Sequence, residues 1–120
     1  MSSRVPSYIR RHRRAWGLTQ RETALLLGLA DRERVSMIER DVHLPNLDTL
    51  IALEVLFSRT TRMLFSARYD DIEARVLANA RRVVDDLQGD ASRRAIRVRE
   101  LLLLLLSRAV NRSTGLDHGA

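Results

Sequence analysis

The reading of this chain turns on Leu18 to Arg40, LTQRETALLLGLADRERVSMIER. The stretch carries two short helical patterns joined by a turn at Gly28. Thr19 can cap the first helix, and Glu22 three residues later completes a capping box, in which each side chain satisfies the other's backbone N–H. Ala24, Leu26 and Leu27 then face inward. Gly28, which tolerates a positive φ, ends that helix. The second helix has Val35 and Ile38 as its inner contacts and polar residues elsewhere. A helix so short and polar, pinned by two apolar residues, is displayed rather than buried.

Outward to the N-terminus, Ser7 can cap a helix running to Trp16, with Gly17 ending it. Ile9, Arg13 and Trp16 share one face, at spacings of four and then three. Ile9 and Trp16 read as core. Arg13 on that face requires a partner, because a buried charge is tolerated only when paired. Glu39 lies four residues beyond Val35 and so points inward too. An Arg13–Glu39 ion pair is therefore expected, and it would orient the displayed helix. Arg10, Arg11 and Arg14 lie off this face; each is either a phosphate contact or part of a solvated basic surface. Residues 1–6 read as a disordered tail or as an arginine arm.

Outward to the C-terminus, Asn46 caps a fourth helix, with Asp48 in its first turn and Leu47, Leu50, Ile51, Leu53, Leu56 and Phe57 as core. Thr60 caps a one-turn helix ending in Met63, Leu64 and Phe65. Ser66 to Arg68 reads as a connector. A long amphipathic helix then runs from Tyr69 to about Leu87, with Ile72, Val76, Leu77, Ala80, Val83, Val84 and Leu87 as its stripe. Gln88-Gly89-Asp90 breaks it, and Ser92 caps a last helix. That helix holds six consecutive leucines, Leu101 to Leu106. Leucines on every side of a helix cannot all be covered by one antiparallel neighbour. The expectation is a homodimer whose interface includes Val84, Leu87, Leu101, Leu102, Leu104 and Leu105. Packing on the N-terminal half, or against a different protein, is the alternative.

Composition narrows the classes. The net charge is +6, and all 21 basic residues are arginine. Arginine suits a polyanionic partner, because its planar fork binds phosphate or a guanine edge bidentately. The chain has no cysteine, which removes disulfides and thiolate metal sites. The N-terminus has no apolar core after its arginines, so no secretory signal is expected. The leucine run is too short to span a bilayer. A cytoplasmic protein is expected. His12, His43 and His118 show no metal-ligand spacing, and no cofactor is expected. Asp70-Asp71-Glu73 and Asp85-Asp86 sit at helix ends or on solvent faces, so no enzyme is expected either.

A helix with one side packed and the other free is what the major groove requires. GLTQ at 17–20, LLGL at 26–29, VSMIER at 35–40, LPNLDTL at 44–50 and MLF at 63–65 resemble, in order, the phage-repressor-like (Xre-type) helix-turn-helix family. The resemblance covers about residues 7–65. It implies an all-α fold with a five-helix DNA-binding domain over 7–66; outside the resemblance, the helical patterns read as a two-helix oligomerisation extension over 67–112, with 1–6 and 113–120 as tails. It also carries an arginine and a glutamate at the positions of Arg13 and Glu39, and a phosphate-bonding glutamine at Gln20. Arg32, Glu33, Arg34, Ser36 and Met37 become the candidates for base edges, with Met37 alternatively core filler. Arg14, Arg40 and His43 join Gln20 as candidates for phosphate. The turn from Gly28 to Val35 is one residue longer than the family's common spacing, which leaves the start of the reading helix open by one position. Thr23 stands where the family has an apolar residue, Leu25 where it is commonly polar, and Ser58 where it often has glycine.

The implied function is sequence-specific binding of double-stranded DNA by a transcriptional regulator. The simplest form is a homodimeric repressor on a palindromic operator, bacterial or phage-encoded and nucleoid-associated when bound. The alternative is an antitoxin, or another interaction module whose C-terminal helices bind a partner protein.

Overall fold

The computed structural model describes residues 8–113, and the chain divides into two units after Asp70. Among the described residues there are helices and no strands. The first unit holds α1 (Ile9–Ala15), α2 (Gln20–Leu27), α3 (Arg32–Glu39), α4 (Leu47–Phe57) and the one-turn α5 (Thr61–Leu64). The start of α6 (Ser66–Asp86) also belongs to it; the rest of α6 and α7 (Arg93–Ser113) make the second unit. The expected cap at Ser7 and the tails at 1–6 and 114–120 lie outside the described residues. The expected connector at 66–68 is helical, so α6 follows α5 almost directly.

Local chemistry sets the boundaries. The Thr19–Glu22 capping box is complete: Glu22 N–H donates to Thr19 Oγ1 at 3.0 Å and Thr19 N–H donates to Glu22 Oε1 at 2.9 Å. The Thr19 backbone N–H, and then its hydroxyl, hold the Glu22 carboxyl below the ordinary range. Gly28 ends α2 at φ 74°, and Leu29 N–H reaches back to Ala24 O at 2.9 Å. Asp31 then caps α3 by accepting from Arg34 N–H at 3.2 Å. This cap settles the register left open by the longer turn, and α3 begins at Arg32. Asn46 caps α4 through Thr49 N–H at 2.9 Å. Thr60 caps α5 through Met63 N–H at 3.2 Å.

The core of the first unit is Ile9, Ile38, Leu53, Phe57, Leu64 and Phe65, with Leu18, Leu27, Leu29, Leu50 and Leu56 packed around it. Four expected core residues are outside. Trp16 is 57% exposed, because α1 stops at Ala15 and the indole lies over the rim, edge-on to Phe57 at 5.6 Å between centroids. Leu47 and Ile51 are exposed because the buried seam of α4 runs through Thr49, Leu53 and Phe57, and the two are turned away from Leu53 by about 120° and about 160° around the axis. Leu26 is exposed as well, and Thr23 is buried in its stead. The Thr23 hydroxyl donates to Thr19 O at 2.9 Å, so the polar atom enters the interior with its bond made. Leu25 is exposed, and Met63 stands outside while Leu64 and Phe65 close the domain.

In the second unit α6 and α7 form an antiparallel hairpin. Gly89 turns the chain at φ 82°, and Ser92 Oγ accepts from Ala95 N–H at 3.2 Å to start α7. Arg99 closes the C-terminal end of α6 by donating to Leu87 O and to Asp90 O. Arg112 pairs with Glu73 at the open end. The buried seam is thin: Ala80, Val84 and Ala95. α7 continues to Ser113, where the tail was expected to begin.

Candidate nucleic-acid interface

α3 packs by Val35, Ile38 and Glu39 and displays the rest. The polar half of that inner face is a closed hub. Arg13 Nε lies 2.5 Å from Glu39 Oε2, and Arg13 Nη2 donates to Glu39 Oε1 at 3.2 Å. The expected partners are thus brought together, bidentately, with both residues buried. The remaining Arg13 Nη1 donates to Leu18 O at 2.9 Å.

Two further donors complete the hub. Arg10 Nε reaches Glu39 Oε1 at 3.3 Å and Gln20 Nε2 reaches it at 3.1 Å. α1, α2 and α3 therefore meet on one carboxylate. Burial pushes the Glu39 carboxyl up, but the hydrogen bonds from Arg13, Gln20 and Arg10, together with the Arg13 charge, outweigh burial and leave it below its ordinary value. The sequence reading missed Arg10 as a second cation and Gln20 as a ligand of Glu39. The i, i+3 spacing of Arg10 and Arg13 was a usable signal for the first. Nothing local marked the second.

Arg32, Glu33 and Arg34 are exposed, and Ser36 and Met37 are half-buried. Arg40 donates to Glu33 Oε1 at 3.2 Å and to Ser36 Oγ at 3.2 Å, a small network on the outer surface of α3. His43 is exposed just beyond the helix. Arg34, Met37 and His43 share the wall of a cleft of about 460 Å³ between α3 and the start of α4. Arg14 is exposed on α1.

A helix-turn-helix family model matches residues 9–64. Over those residues the chain matches the Xre/Cro-like helix-turn-helix family. No curated protein and no solved structure matches the chain. In the helix-turn-helix unit, α2 is the supporting helix and α3 the displayed one, and the family is a DNA-binding one rather than an enzyme family. Of the six residues expected at a dimer interface, Val84 is already buried within its own chain and belongs to the hairpin's seam. Leu87, Leu102 and Leu105 are half-buried, while Leu101 and Leu104 are exposed. No helix among the described residues is long and apolar enough to cross a membrane.

Proposed function

We propose that this protein is a sequence-specific, double-stranded-DNA-binding transcriptional regulator that acts inside the cell as a repressor. It binds a palindromic operator as a homodimer. The observation that carries the reading is α3: a short helix fixed along one face by Val35, Ile38 and the Glu39 hub, with its other face free. In the major groove, Glu33, Arg34, Ser36 and Met37 would meet base edges. Glutamate accepts from cytosine, arginine donates to guanine, and methionine packs on a thymine methyl. Arg14, Arg40 and His43 hold phosphates around them. Gln20 adds a phosphate contact through its second amide hydrogen, the first pointing towards Glu39.

Residues 7–66 serve DNA binding and 67–112 serve oligomerisation. The support for the second role is apolar surface. Ile72, Val76, Val83, Ile96, Leu101, Leu103, Leu104 and Val110 are all exposed on the hairpin. So much exposed apolar surface on two helices supports an interaction surface. Because these side chains stand on more than one face of α7, capture of a different protein, as in an antitoxin, is the second reading.

The test is selection of bound duplexes from a random pool by the full-length protein, with sedimentation of the protein alone and on the selected site. A palindrome with half-sites about one turn apart, ~34 Å, bound by two chains, is the expected result. Enrichment of a single asymmetric half-site by a monomer would refute the homodimer. Salt-sensitive retention without any enriched sequence would refute sequence-specific reading.

A further inference from the structure

The end of α3 carries two carboxylates where a helix least favours them. Glu39 is its last residue and Asp41 stands two residues beyond, both at the negative end of the helix dipole. Glu39 is answered from α1 and α2. Asp41 is answered from the first turn of α6, where Arg68 Nη2 donates to its Oδ1 at 3.2 Å and lies 3.5 Å from its Oδ2. Residues 66–68, expected as a connector, thus carry a tie to the displayed helix.

The backbone of Asp41 gives the charge its meaning. Its φ is 59°, one of two positive values at a non-glycine residue among the described residues. Glycine, or else asparagine, is the usual residue in such a position. An aspartate there gives up backbone ease and adds an ill-placed charge; what it gains is the bond to Arg68. That bond holds a whole segment. Asp41 N–H donates to Ile38 O at 3.1 Å, and Val42 N–H and His43 N–H both donate to Met37 O, at 2.8 and 3.2 Å. The chain therefore folds back over the last turn of α3, and residues 40–43 move with its end. Arg40 and His43, assigned above to phosphates, flank Asp41 in this segment. A carboxylate between them opposes phosphate unless its charge is matched, and Arg68 supplies a match.

We propose that Arg68 is a positioning residue for DNA recognition: through Asp41 it fixes the C-terminal end of α3 and the Arg40–His43 segment against α6, without touching DNA itself. This role rests on the DNA-binding reading and deepens it, since Arg68 lies outside the matched stretch 9–64. Folding stability is not its main effect. The Arg68 side chain is 36% exposed and that of Asp41 14%, and a pair so open to water contributes little. Base contacts are less forgiving, since a hydrogen bond holds only over about 2.7–3.2 Å.

The experiment measures the affinity of the full-length protein for its selected duplex and for a scrambled one, and reads their ratio. Arg68→Gln removes the cation. Asp41→Asn removes the anion and leaves a residue that accepts the left-handed backbone. Each should lower the ratio about three- to tenfold, and the double variant should lower it no further. The slope of log affinity against log salt should stay at its wild-type value, since no phosphate contact is lost. Arg68→Lys should keep the ratio, because a single nitrogen serves both oxygens and an ammonium can replace it. The midpoint of urea unfolding should barely move in any variant. A slope lowered by about one in Arg68→Gln, with both duplexes weakened equally, would make Arg68 a phosphate contact and overturn the proposal. A urea midpoint that falls in step with the ratio would make the pair a folding contact and overturn it too. Unchanged ratios in the single variants, or losses that add in the double, would also overturn it while leaving the DNA-binding reading in place. Wild-type protein that does not distinguish the two duplexes would overturn both.

Discussion

In the unit that ends at Asp70, Ile9, Leu53 and Leu64 are fully buried, and a buried carboxylate is matched by two arginines and a glutamine. In the α6–α7 hairpin the buried apolar residues are Ala80, Val84 and Ala95, while Leu101, Leu103 and Leu104 are each just over half exposed. Both units are helical, and both draw on leucine. They differ in closure. Several helices cross in the first unit, so an apolar face on one finds cover on two or three others. Two antiparallel helices offer each other a single seam, and small residues at Ala80 and Ala95 let them approach closely along it. The leucines left over lie on the surface of the hairpin. The first unit thus closes over its own core, whereas the second closes along one seam only.

The largest effect expected from breaking this contrast is at the hub. Glu39→Ala leaves Arg13 buried without its counter-charge and should cost ~3–5 kcal/mol, read by urea unfolding of the full chain. The same carboxylate sets an acid limit. Its pKa is lowered in the folded protein, so its contribution is complete above the ordinary carboxylate range and is lost as pH falls through the lowered value. Glu39→Gln should flatten the acid limb of the stability–pH profile. An unchanged limb would show that other carboxylates carry it.

A smaller effect, in the opposite unit, tests association rather than folding. Leu104→Glu should dissociate the proposed homodimer in sedimentation, removing roughly 1.5–3 kcal/mol of apolar burial per chain. Helical content and the acid limb should stay as they are. A dimer that persists at the same concentration would place the contact on another face of the hairpin.

The smallest effect sharpens the contrast by improving the already closed unit. Ser58 ends α4 in the left-handed region at φ 52°, where a Cβ is crowded. Ser58→Gly should raise stability by up to about 1 kcal/mol, the relief being partly offset by glycine's greater freedom in the unfolded chain. Calorimetry that shows a fall in Tm would mean the serine hydroxyl is worth more than the strain.

Much of the first unit was legible because its signals are local. Thr19 with Glu22, Gly28, Asn46 and Thr60 each act within one turn of their own position, so the helix ends could be placed from residue type alone. The Arg13–Glu39 meeting was legible for a related reason: helical spacing from Ile9 and from Val35 turns both side chains inward, and two opposite charges turned inward must find each other. The errors concern which apolar residues are covered. Trp16, Leu26, Leu47 and Ile51 are apolar at nearly correct spacing, but whether such a residue is covered depends on where its own helix stops and which face the neighbouring helices meet. Thr23 shows the converse, a polar residue accepted inside because its hydroxyl reaches Thr19 O.

The candidate site divides in the same way. From residue order and type came the displayed helix, its exposed residues from Arg32 to Arg34, and the surplus of arginine. The meeting of Arg10, Gln20 and Glu39, and that of Asp41 with Arg68, required helices far apart in the chain to come together. The sequence by itself determined the helices, their caps and the two groups that had to pair, because hydrogen-bonding range and helical period are properties of neighbouring residues. Only the tertiary structure decided which leucines are covered and which cations share a site, because burial and the summed field of charges depend on segments far apart in the chain.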